Sequence, residues 1–220
     1  MIVDQNITDY IRSLMKEEKN LLGEIEYEAR QNHVPIVKPE TKELLRMLVL
    51  LKQPMKILEV GAAVGFSSLY MNKYQPTGGN IITIERNEKR IKKAKENIHK
   101  MGKEEQITLL EGDAIEILKS LDGSYDFIFV DAAKGQYIHF LDDVLRLLSP
   151  KGLLVSDNVL QDGDVAKSRY AIERRDRTIH KRMRDFLYTI KNHPQLETTI
   201  LPVGDGVAIS MKTGETNERD

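Results

Sequence analysis

A short apolar segment followed by a turn of small residues constrains the fold of this chain more than any other feature. Residues 56–60 read Lys-Ile-Leu-Glu-Val, and residues 61–65 read Gly-Ala-Ala-Val-Gly. A helix-forming segment begins at Phe66. A strand, a tight turn and a helix in this order are typical of the place where Rossmann-like α/β proteins bind a nucleoside cofactor. An ordinary βα turn, with small residues present only for packing, is the alternative interpretation.

The spacing of the glycines indicates which kind of cofactor the turn would accept. Gly61 and Gly65 flank Ala63, whereas a G-x-G-x-x-G motif would place glycines at positions 63 and 66. The carboxylate of Glu59 would also repel a pyrophosphate, by roughly several kcal/mol in a partly dry site. S-adenosylmethionine (SAM) carries a sulfonium and an ammonium but no phosphate. We therefore predict SAM as the cofactor.

Composition excludes several classes of protein. The 220 residues suffice for one α/β domain and no linker divides them, so we predict a single domain over residues 1–220. Thirty-three basic and 34 acidic residues leave a net charge of −1, so any affinity for nucleic acid must be local. The absence of cysteine excludes disulfides, thiolate metal sites and cysteine nucleophiles. Five scattered histidines without an H-E-x-x-H motif argue against zinc.

The N-terminal residues lack the features of a targeting segment. They include an early aspartate, Asp4, and no sustained apolar run. No window approaches the roughly 18 apolar residues that a membrane helix needs. We therefore expect a cytoplasmic protein that does not bind a membrane.

Apolar runs of strand length alternate with longer amphipathic segments along most of the chain. Residues 1–52 are predicted as a helical N-terminal extension, and strands are predicted near 56–60, 80–85, 106–111, 125–131 and 152–157. This alternation predicts a parallel sheet with helices on both faces. A charged helix is predicted around 167–192, and residues 212–220 are predicted as a flexible tail.

The C-terminal part departs from a plain dinucleotide-binding fold. Two strand-like runs, 196–202 and 207–211, flank Gly204-Asp-Gly206, which predicts a hairpin that adds antiparallel edge strands. The predicted fold is therefore α/β and Rossmann-like, with a seven-stranded, mostly parallel sheet and an antiparallel C-terminal hairpin. This is the layout of class I methyltransferases.

Acidic or amide side chains close most of the predicted strands, where ligands bind in doubly wound sheets. They are Glu59, Glu85, Asp113, Asp131, Asp157 and Asn158. One such residue is often only a helix cap, but five strand ends along one edge are hard to explain as caps. Glu85 follows Gly65 by 20 residues, which suits a carboxylate that binds the ribose hydroxyls. Asp113 suits the adenine amino group, and a role as a helix N-cap is compatible with this.

Three oxygen ligands are predicted from neighbouring strands. Asp131, Asp157 and Asn158 offer two carboxylates and an amide without nitrogen or sulfur ligands, which is a Mg²⁺-like set; Mn²⁺ and Ca²⁺ remain open. The alternative for residues 157 and 158 is a simple turn after a strand. Lys134 follows Asp131 by three residues and is a candidate general base, because like-charge repulsion near a metal and a sulfonium would favour its neutral form. An exposed lysine is the commoner alternative.

These segments resemble the metal-dependent O-methyltransferases related to catechol and caffeoyl-CoA O-methyltransferases. The motifs are residues 59–67 (EVGAAVGFS), 125–134 (YDFIFVDAAK), 156–160 (SDNVL) and 201–206 (LPVGDG), within a likeness over residues 30–211. The resemblance implies a metal held by Asp131, Asp157 and Asn158, and a catalytic role for Lys134 together with Asp131. It also implies cofactor contacts from Val37, Glu59, Gly61, Ser67, Glu85, Asp113, Ala114 and Asp131.

A basic segment distinguishes this chain from the plant enzymes of that family. Position 161, often tryptophan in the family, is Gln161 here. Residues 167–185 carry eight basic and three acidic residues, a net of five positive charges. Such a patch favours phosphate binding, and a solvated helix face with ion pairs is the alternative. The candidate RNA-binding residues are Lys167, Arg169, Arg174, Arg175, Arg177, Lys181 and Arg182; Tyr137 and Tyr170 are candidates for stacking on a base.

Within the family the chain resembles bacterial tRNA 5-hydroxyuridine methyltransferases. This resemblance implies methylation of 5-hydroxyuridine at the wobble position of the tRNA anticodon loop to 5-methoxyuridine. A catechol- or caffeoyl-CoA-type enzyme acting on a small molecule is the alternative, and a cofactor-binding module without activity is a third. The apolar stripe of the first helix, with Ile7, Ile11 and Leu14, could pack on the sheet or on a second subunit, and we expect a homodimer.

Overall fold

The computed structural model describes residues 2–133 and 135–214 and shows a seven-stranded sheet with helices on both faces. The helices are α1 (Gln5–Ser13), α2 (Leu21–Gln31), α3 (Pro39–Lys52), α4 (Phe66–Tyr74), α5 (Glu88–Lys100), α6 (Ala114–Ser120), α7 (Tyr137–Leu147) and α8 (Arg177–Asn192). The strands are β1 (Lys56–Val60), β2 (Asn80–Glu85), β3 (Ile107–Glu111), β4 (Tyr125–Val130), β5 (Leu148–Ser156), β6 (Leu196–Leu201) and β7 (Val207–Lys212).

The strand order is β3-β2-β1-β4-β5-β7-β6, which confirms the predicted fold. The first five strands pair in parallel, and β7 pairs antiparallel with both β5 and β6. Of the two hairpin strands, β6 is therefore the one at the edge of the sheet, and β7 is paired on both sides. Because parallel strands end on the same side, the residues that follow β1, β2, β4 and β5 meet at one edge of the sheet.

Alternation along each strand divides the apolar core between the two faces of the sheet. Ile57 and Phe127 pack on the face covered by α2, α3 and α4, whereas Leu58 and Ile128 pack on the face covered by α7 and α8. Both faces of the central strands are buried, as expected for a parallel sheet. The strands therefore carry the continuous apolar runs from which they were predicted.

The N-terminal extension is helical, and a proline fixes where its third helix begins. Pro39 is the first residue of α3, where its missing N–H costs nothing. By contrast, the apolar side chains of Ile7 and Ile11 on α1, and of Leu14 at its C-terminal end, are exposed rather than packed on the sheet. No helix among residues 2–133 and 135–214 is both long enough and apolar enough to cross a membrane.

The helix predicted over 167–192 begins only at Arg177. Two short 3-10 helices, Gln161–Ala166 and Arg169–Ala171, precede it. Val165 and Ile172 are buried, so packing on α8 holds this segment in an irregular conformation. The predicted tail begins too early, because Lys212 still belongs to β7. Residues 215–220 of that tail lie outside the described part of the chain.

Candidate functional site

The turn after β1 packs directly against the ends of β2 and β4. Backbone N–H groups of Gly61 and Ala62 both donate to the carbonyl of Ile84, each at 3.0 Å. Gly61 has φ +107°, and a Cβ on it would lie 2.1 Å from the carbonyl oxygen of Asp131. Only glycine therefore allows this close approach. The turn and Asp131 are held together as neighbouring walls of one cavity.

This cavity has a volume of about 460 Å³, which is ample for a nucleoside cofactor. It lies at the carboxyl ends of β1, β2 and β4. Seven of the eight predicted cofactor residues line it: Val37, Gly61, Ser67, Glu85, Asp113, Ala114 and Asp131. The side chains predicted from separate strand ends thus come together around one space.

Glu59, the eighth predicted cofactor residue, does not line the cavity. Strand alternation directs its side chain to the face that α4 covers, where it is 0% exposed. Its carboxylate accepts hydrogen bonds from the hydroxyls of Ser68 and Thr83. Burial raises the pKa of Glu59, although these hydroxyls and that of Ser67 oppose the shift. Glu59 therefore supports the turn from the buried face of the sheet. The carboxylates that face the cavity belong to other residues.

Glu85 supplies a fixed carboxylate on the cavity wall. Its Oε2 accepts from the backbone N–H of Ala63 at 2.9 Å, and its Oε1 accepts from those of Arg86 and Asn87 at 2.9 Å each. Three backbone donors hold the carboxylate in one orientation while it faces the cavity. It can accept hydrogen bonds from ribose hydroxyls without rearrangement of the side chain.

Asp113 can serve both as a helix N-cap and as an acceptor for the adenine amino group, the two roles predicted for it. Its Oδ1 accepts from the backbone N–H of Ile115 at 2.9 Å and so caps α6. Its Oδ2 pairs with Arg86 at 3.3 Å, and both residues line the cavity. The cap fixes the carboxylate at the cavity wall, next to Ala114.

The predicted metal ligands meet at the ends of β4 and β5. Asn158 Nδ2 donates to Asp131 Oδ1 at 2.7 Å, and both residues line the cavity. Asp157 lies just beneath the wall and is 2% exposed. Its Oδ1 accepts from the backbone N–H of Asn158 at 2.8 Å and faces the hydroxyl of Thr41 at 3.5 Å. Asn158 has φ +60°, a strained conformation that turns the chain sharply after the strand.

Burial makes the ionised form of Asp157 costly. Burial raises its pKa to about 6, opposed by the backbone N–H of Asn158 and assisted by the neighbouring charge of Asp205. Lys38 forms an ion pair with Asp205 and lies 3.5 Å from Asp162, so its charge is shared with other carboxylates. The charge of Lys38 still opposes the shift in the pKa of Asp157, but burial outweighs it.

This donor set fits a divalent cation. Two carboxylates and an amide oxygen are hard ligands that suit Mg²⁺, Mn²⁺ or Ca²⁺, and such an ion would favour the ionised form of the buried Asp157. In the described ranges no three His, Cys, Asp or Glu side chains form a metal-binding group. A flip of the Asn158 side-chain amide would turn its oxygen, instead of its nitrogen, toward Asp131.

Lys134, the predicted general base, lies outside the described part of the chain. The neighbouring residues Ala132, Ala133 and Gln136 line the cavity. The role of Lys134 therefore stays a prediction from the sequence.

The basic segment borders the loop that follows Asp131. Arg182 Nη1 donates to the carbonyl of Gly135 at 3.3 Å, which joins α8 to this loop. Two of the predicted RNA-binding residues are ion-paired: Lys167 with Asp164, and Arg175 with Glu173 and Asp176. Arg177 donates to the carbonyl of Ile172 at 3.1 Å. Arg169, Arg174 and Lys181 are exposed and form no ion pair with any described residue.

The two tyrosines predicted to stack on a base differ completely in exposure. Tyr170 is 88% exposed between the two halves of the basic segment, whereas Tyr137 is 2% exposed. A buried ring offers no face to a base, so the prediction for Tyr137 is wrong. Its ring packs against Phe186, which lies 49 positions farther along the chain, and a local pattern does not reveal such a contact.

Several cavity residues were missed by sequence reasoning. Arg86 and Arg90 line the cavity beside Glu85 and Asp113, and Asp205 lines it from the hairpin. Arg86 follows Glu85 directly, and this adjacency was the available signal. Asp205 was interpreted only as part of a turn, because its approach to Asp157 depends on contacts between distant parts of the chain.

The chain resembles known proteins over nearly its whole length. The model of the O-methyltransferase family matches residues 12–213. A catechol O-methyltransferase from Niastella koreensis is 34% identical over 167 residues, which cover 73% of this chain and 76% of that protein.

Two solved structures show the same fold. One, from Staphylococcus aureus, carries the provisional name caffeoyl-CoA O-methyltransferase; it has a TM-score of 0.87 and 34% identity over 95% of this chain and 100% of that one. The other is the O-methyltransferase TomG from Streptomyces achromogenes in complex with SAM, with a TM-score of 0.82 and 25% identity over 95% and 96% of the two chains.

Proposed function

The chain belongs to the O-methyltransferase family, and we propose that it is a divalent-metal-dependent enzyme whose acceptor is 5-hydroxyuridine at the wobble position of the tRNA anticodon loop. At the level of the family it is a SAM-dependent O-methyltransferase of the catechol and caffeoyl-CoA type. The product of the proposed reaction is 5-methoxyuridine. The substrate and the metal dependence are the parts of this assignment that go beyond the family match.

The cavity supports a direct transfer of the methyl group from the sulfonium of SAM to an acceptor oxygen. Glu85 and Asp113 provide fixed acceptors for the ribose and adenine groups, which would orient the nucleoside. Asp131 would then lie between the cofactor and the acceptor, because it lines the cavity and also contacts Asn158. Lys134 is our proposed base for the proton of the acceptor hydroxyl.

The chemistry of the proposed acceptor matches the donor set at the strand ends. A 5-hydroxyuracil presents its O5 hydroxyl beside the O4 carbonyl, two vicinal oxygens like those of a catechol. Asp131, Asp157 and Asn158 would hold a divalent ion, whose charge would lower the pKa of the acceptor hydroxyl.

The exposed cations of the basic segment are the observation that carries the proposed tRNA substrate. Arg169, Arg174 and Lys181 have no acidic partner among the described residues, so their charge is available for phosphates. Tyr170 is exposed next to Arg169 and offers a face on which a base can stack. Arg182 ties this surface to the loop after Asp131, which supports delivery of a base from a phosphate-bound loop into the cavity.

A small-molecule acceptor is the second candidate. The similarity to the Niastella koreensis catechol O-methyltransferase favours it, since a catechol also presents a pair of vicinal oxygens. In that case the basic segment would bind an anionic tail such as that of coenzyme A, or no substrate at all.

Methyl transfer from labelled SAM distinguishes the two candidates. The acceptors are tRNA purified from cells that lack this protein and, in parallel, a simple catechol, each with and without EDTA. We expect EDTA-sensitive label in tRNA that maps to the hydroxylated wobble uridine. Label in catechol alone would move the assignment to small molecules and leave the fold and cofactor unchanged.

A pair of tyrosine variants tests the proposed RNA surface. Tyr170→Ala should weaken tRNA binding by about 1–3 kcal/mol, the usual value of one stacked base. Tyr188→Ala is the matched control. Tyr188 is similarly exposed but lies near the C-terminal end of α8, whereas Tyr170 precedes that helix. Equal affinities of the two variants would count against stacking on Tyr170.

We also propose that the chain forms a homodimer through α1. Ile7, Tyr10, Ile11 and Leu14 expose apolar area on this helix, and a second copy would cover it. Sedimentation of the wild type and of an Ile11→Asp variant tests this. We expect a dimer that the substitution converts to a monomer, and a monomeric wild type would contradict the proposal.

A further inference from the structure

Tyr137 begins α7 beneath the ends of β4 and β5, with its ring enclosed in the core. Its ring packs edge-on against Phe186, with centroids 5.4 Å apart and an interplanar angle of 74°. Its hydroxyl is a hydrogen-bond donor to backbone carbonyls. The ring holds this donor in one place.

The hydroxyl reaches the backbone at both strand ends that carry the proposed metal ligands. It donates toward the carbonyl of Asp157 at 2.9 Å and that of Val130 at 3.2 Å. Val130 immediately precedes Asp131 in the chain. The hydroxyl proton is therefore shared between two carbonyls. One is that of Val130, which precedes the proposed ligand Asp131, and the other is that of Asp157, which is itself a proposed ligand.

This contact lies where the sheet stops holding the two strands together. The last paired residues of β4 and β5 are Val130 and Ser156, and the N–H of Asp157 still donates to the carbonyl of Val130 at 3.0 Å. Beyond this point Asn158 turns away at φ +60°. The phenol hydroxyl joins β4 and β5 just where their backbone hydrogen bonds end. It also gives the buried carbonyl of Asp157 a hydrogen-bond donor.

We propose that Tyr137 is a positioning residue that sets the separation of Asp131 and Asp157, and so tunes metal affinity without touching the ion. This inference rests on the proposed metal site. Groups that orient metal ligands typically change metal affinity by about 10- to 100-fold when they are removed. A merely structural tyrosine would change thermal stability and leave metal affinity as it was.

Tyr137→Phe tests the inference, because it removes the hydroxyl and keeps the ring against Phe186. Mn²⁺ binding is measured by electron paramagnetic resonance of the free ion, and SAM binding by calorimetry without metal. Tyr125→Phe is the matched control, since Tyr125 is also buried but lies at the opposite end of β4. Phe186→Leu loosens the ring contact and retains the hydroxyl, so it measures the effect of packing alone.

We expect Tyr137→Phe to weaken Mn²⁺ binding by about 10- to 100-fold, with SAM affinity within about 3-fold of wild type and little change in either control. Wild-type Mn²⁺ affinity in Tyr137→Phe would overturn the positioning role alone. An equal loss in Phe186→Leu would assign the effect to packing and also overturn it. Absence of Mn²⁺ binding by the wild type would overturn the metal site and this inference together.

Discussion

Asn158 Nδ2 donates a hydrogen bond to Asp131 Oδ1 at 2.7 Å and so joins the ends of β5 and β4 at the wall of the cavity. The contact brings together two residues that lie 27 positions apart in the chain. It places an amide beside a carboxylate, with the amide nitrogen of Asn158 turned toward Asp131. Asp157, next to Asn158 in the chain, lies just behind this pair.

Asp157 should be essential for turnover but not for cofactor binding. Asp157→Ala removes one of the three proposed metal ligands, and we expect methyl transfer to fall by more than about 100-fold. SAM affinity should change little, because Asp157 is not part of the cavity wall. Calorimetry and a labelled-SAM assay measure the two effects. Asp122→Ala, in an exposed loop, is the control, and unchanged turnover in Asp157→Ala would remove the metal site.

Gly61 should tolerate no side chain. A Cβ at Gly61 would lie 2.1 Å from the carbonyl oxygen of Asp131, so Gly61→Ala must separate the turn from β4. We expect SAM affinity, measured by calorimetry, to fall at least about 10-fold, because a shift of that size costs more than about 1.4 kcal/mol.

Gly102→Ala is the matched control for Gly61→Ala. Gly102 also has a positive φ, +62°, but no atom lies within 4 Å of the position that a Cβ would occupy there. The substitution should cost only about 1–2 kcal/mol of stability and leave SAM binding intact. An equal loss of SAM affinity in both variants would mean that the contact with Asp131 has no special role.

The two arginines at the centre of the basic segment should not contribute equally to tRNA binding. Arg174 is exposed without an ion pair among the described residues, whereas Arg175 contacts both Glu173 and Asp176. Arg174→Ala should reduce the slope of log affinity against log salt by about 0.7–0.9, as expected for one lost phosphate contact. Arg175→Ala should reduce it less. Salt slopes identical to wild type in both variants would contradict the proposed surface.

Glu59 should make the stability of the protein depend on pH. Its pKa in the folded state is raised above the ordinary value of 4.5 by burial, so the folded state binds a proton more tightly than the unfolded state. The corresponding stability is fully present below pH 4.5 and is lost as pH rises through the folded pKa. Glu59→Gln removes this titration. The free energy of unfolding of the variant, relative to wild type, should therefore increase from pH 4.5 upward. A difference that is constant with pH would contradict this interpretation.

The strands were predicted well where they are short, apolar and bounded by turns. β1 and β2 begin and end as predicted, because both are buried on two faces. β5 begins four residues earlier than predicted, because it continues through Pro150 and Gly152, residue types that are disfavoured inside strands, with Lys151 at φ +61°. The segment before α8 was predicted as helix, because its charges gave no sign that Ile172 would be buried.

The site was predictable as far as topology alone determines it. Parallel strands carry Glu85, Asp131 and Asn158 to one edge, so their proximity followed from strand order. The direction of Glu59 did not, because its carboxylate is held by hydroxyls from α4 and β2. Likewise the burial of Tyr137 and the approach of Asp205 depend on packing between distant segments, which local patterns do not encode.

The proposed substrate and metal are tested together by methyl transfer from labelled SAM to two synthetic anticodon stem-loops that differ only in the 5-hydroxyl of the wobble uridine. We expect label on the hydroxylated stem-loop alone, abolished by EDTA and restored by excess Mg²⁺ or Mn²⁺. Equal labelling of both stem-loops, or labelling that persists in EDTA, would contradict the proposed function.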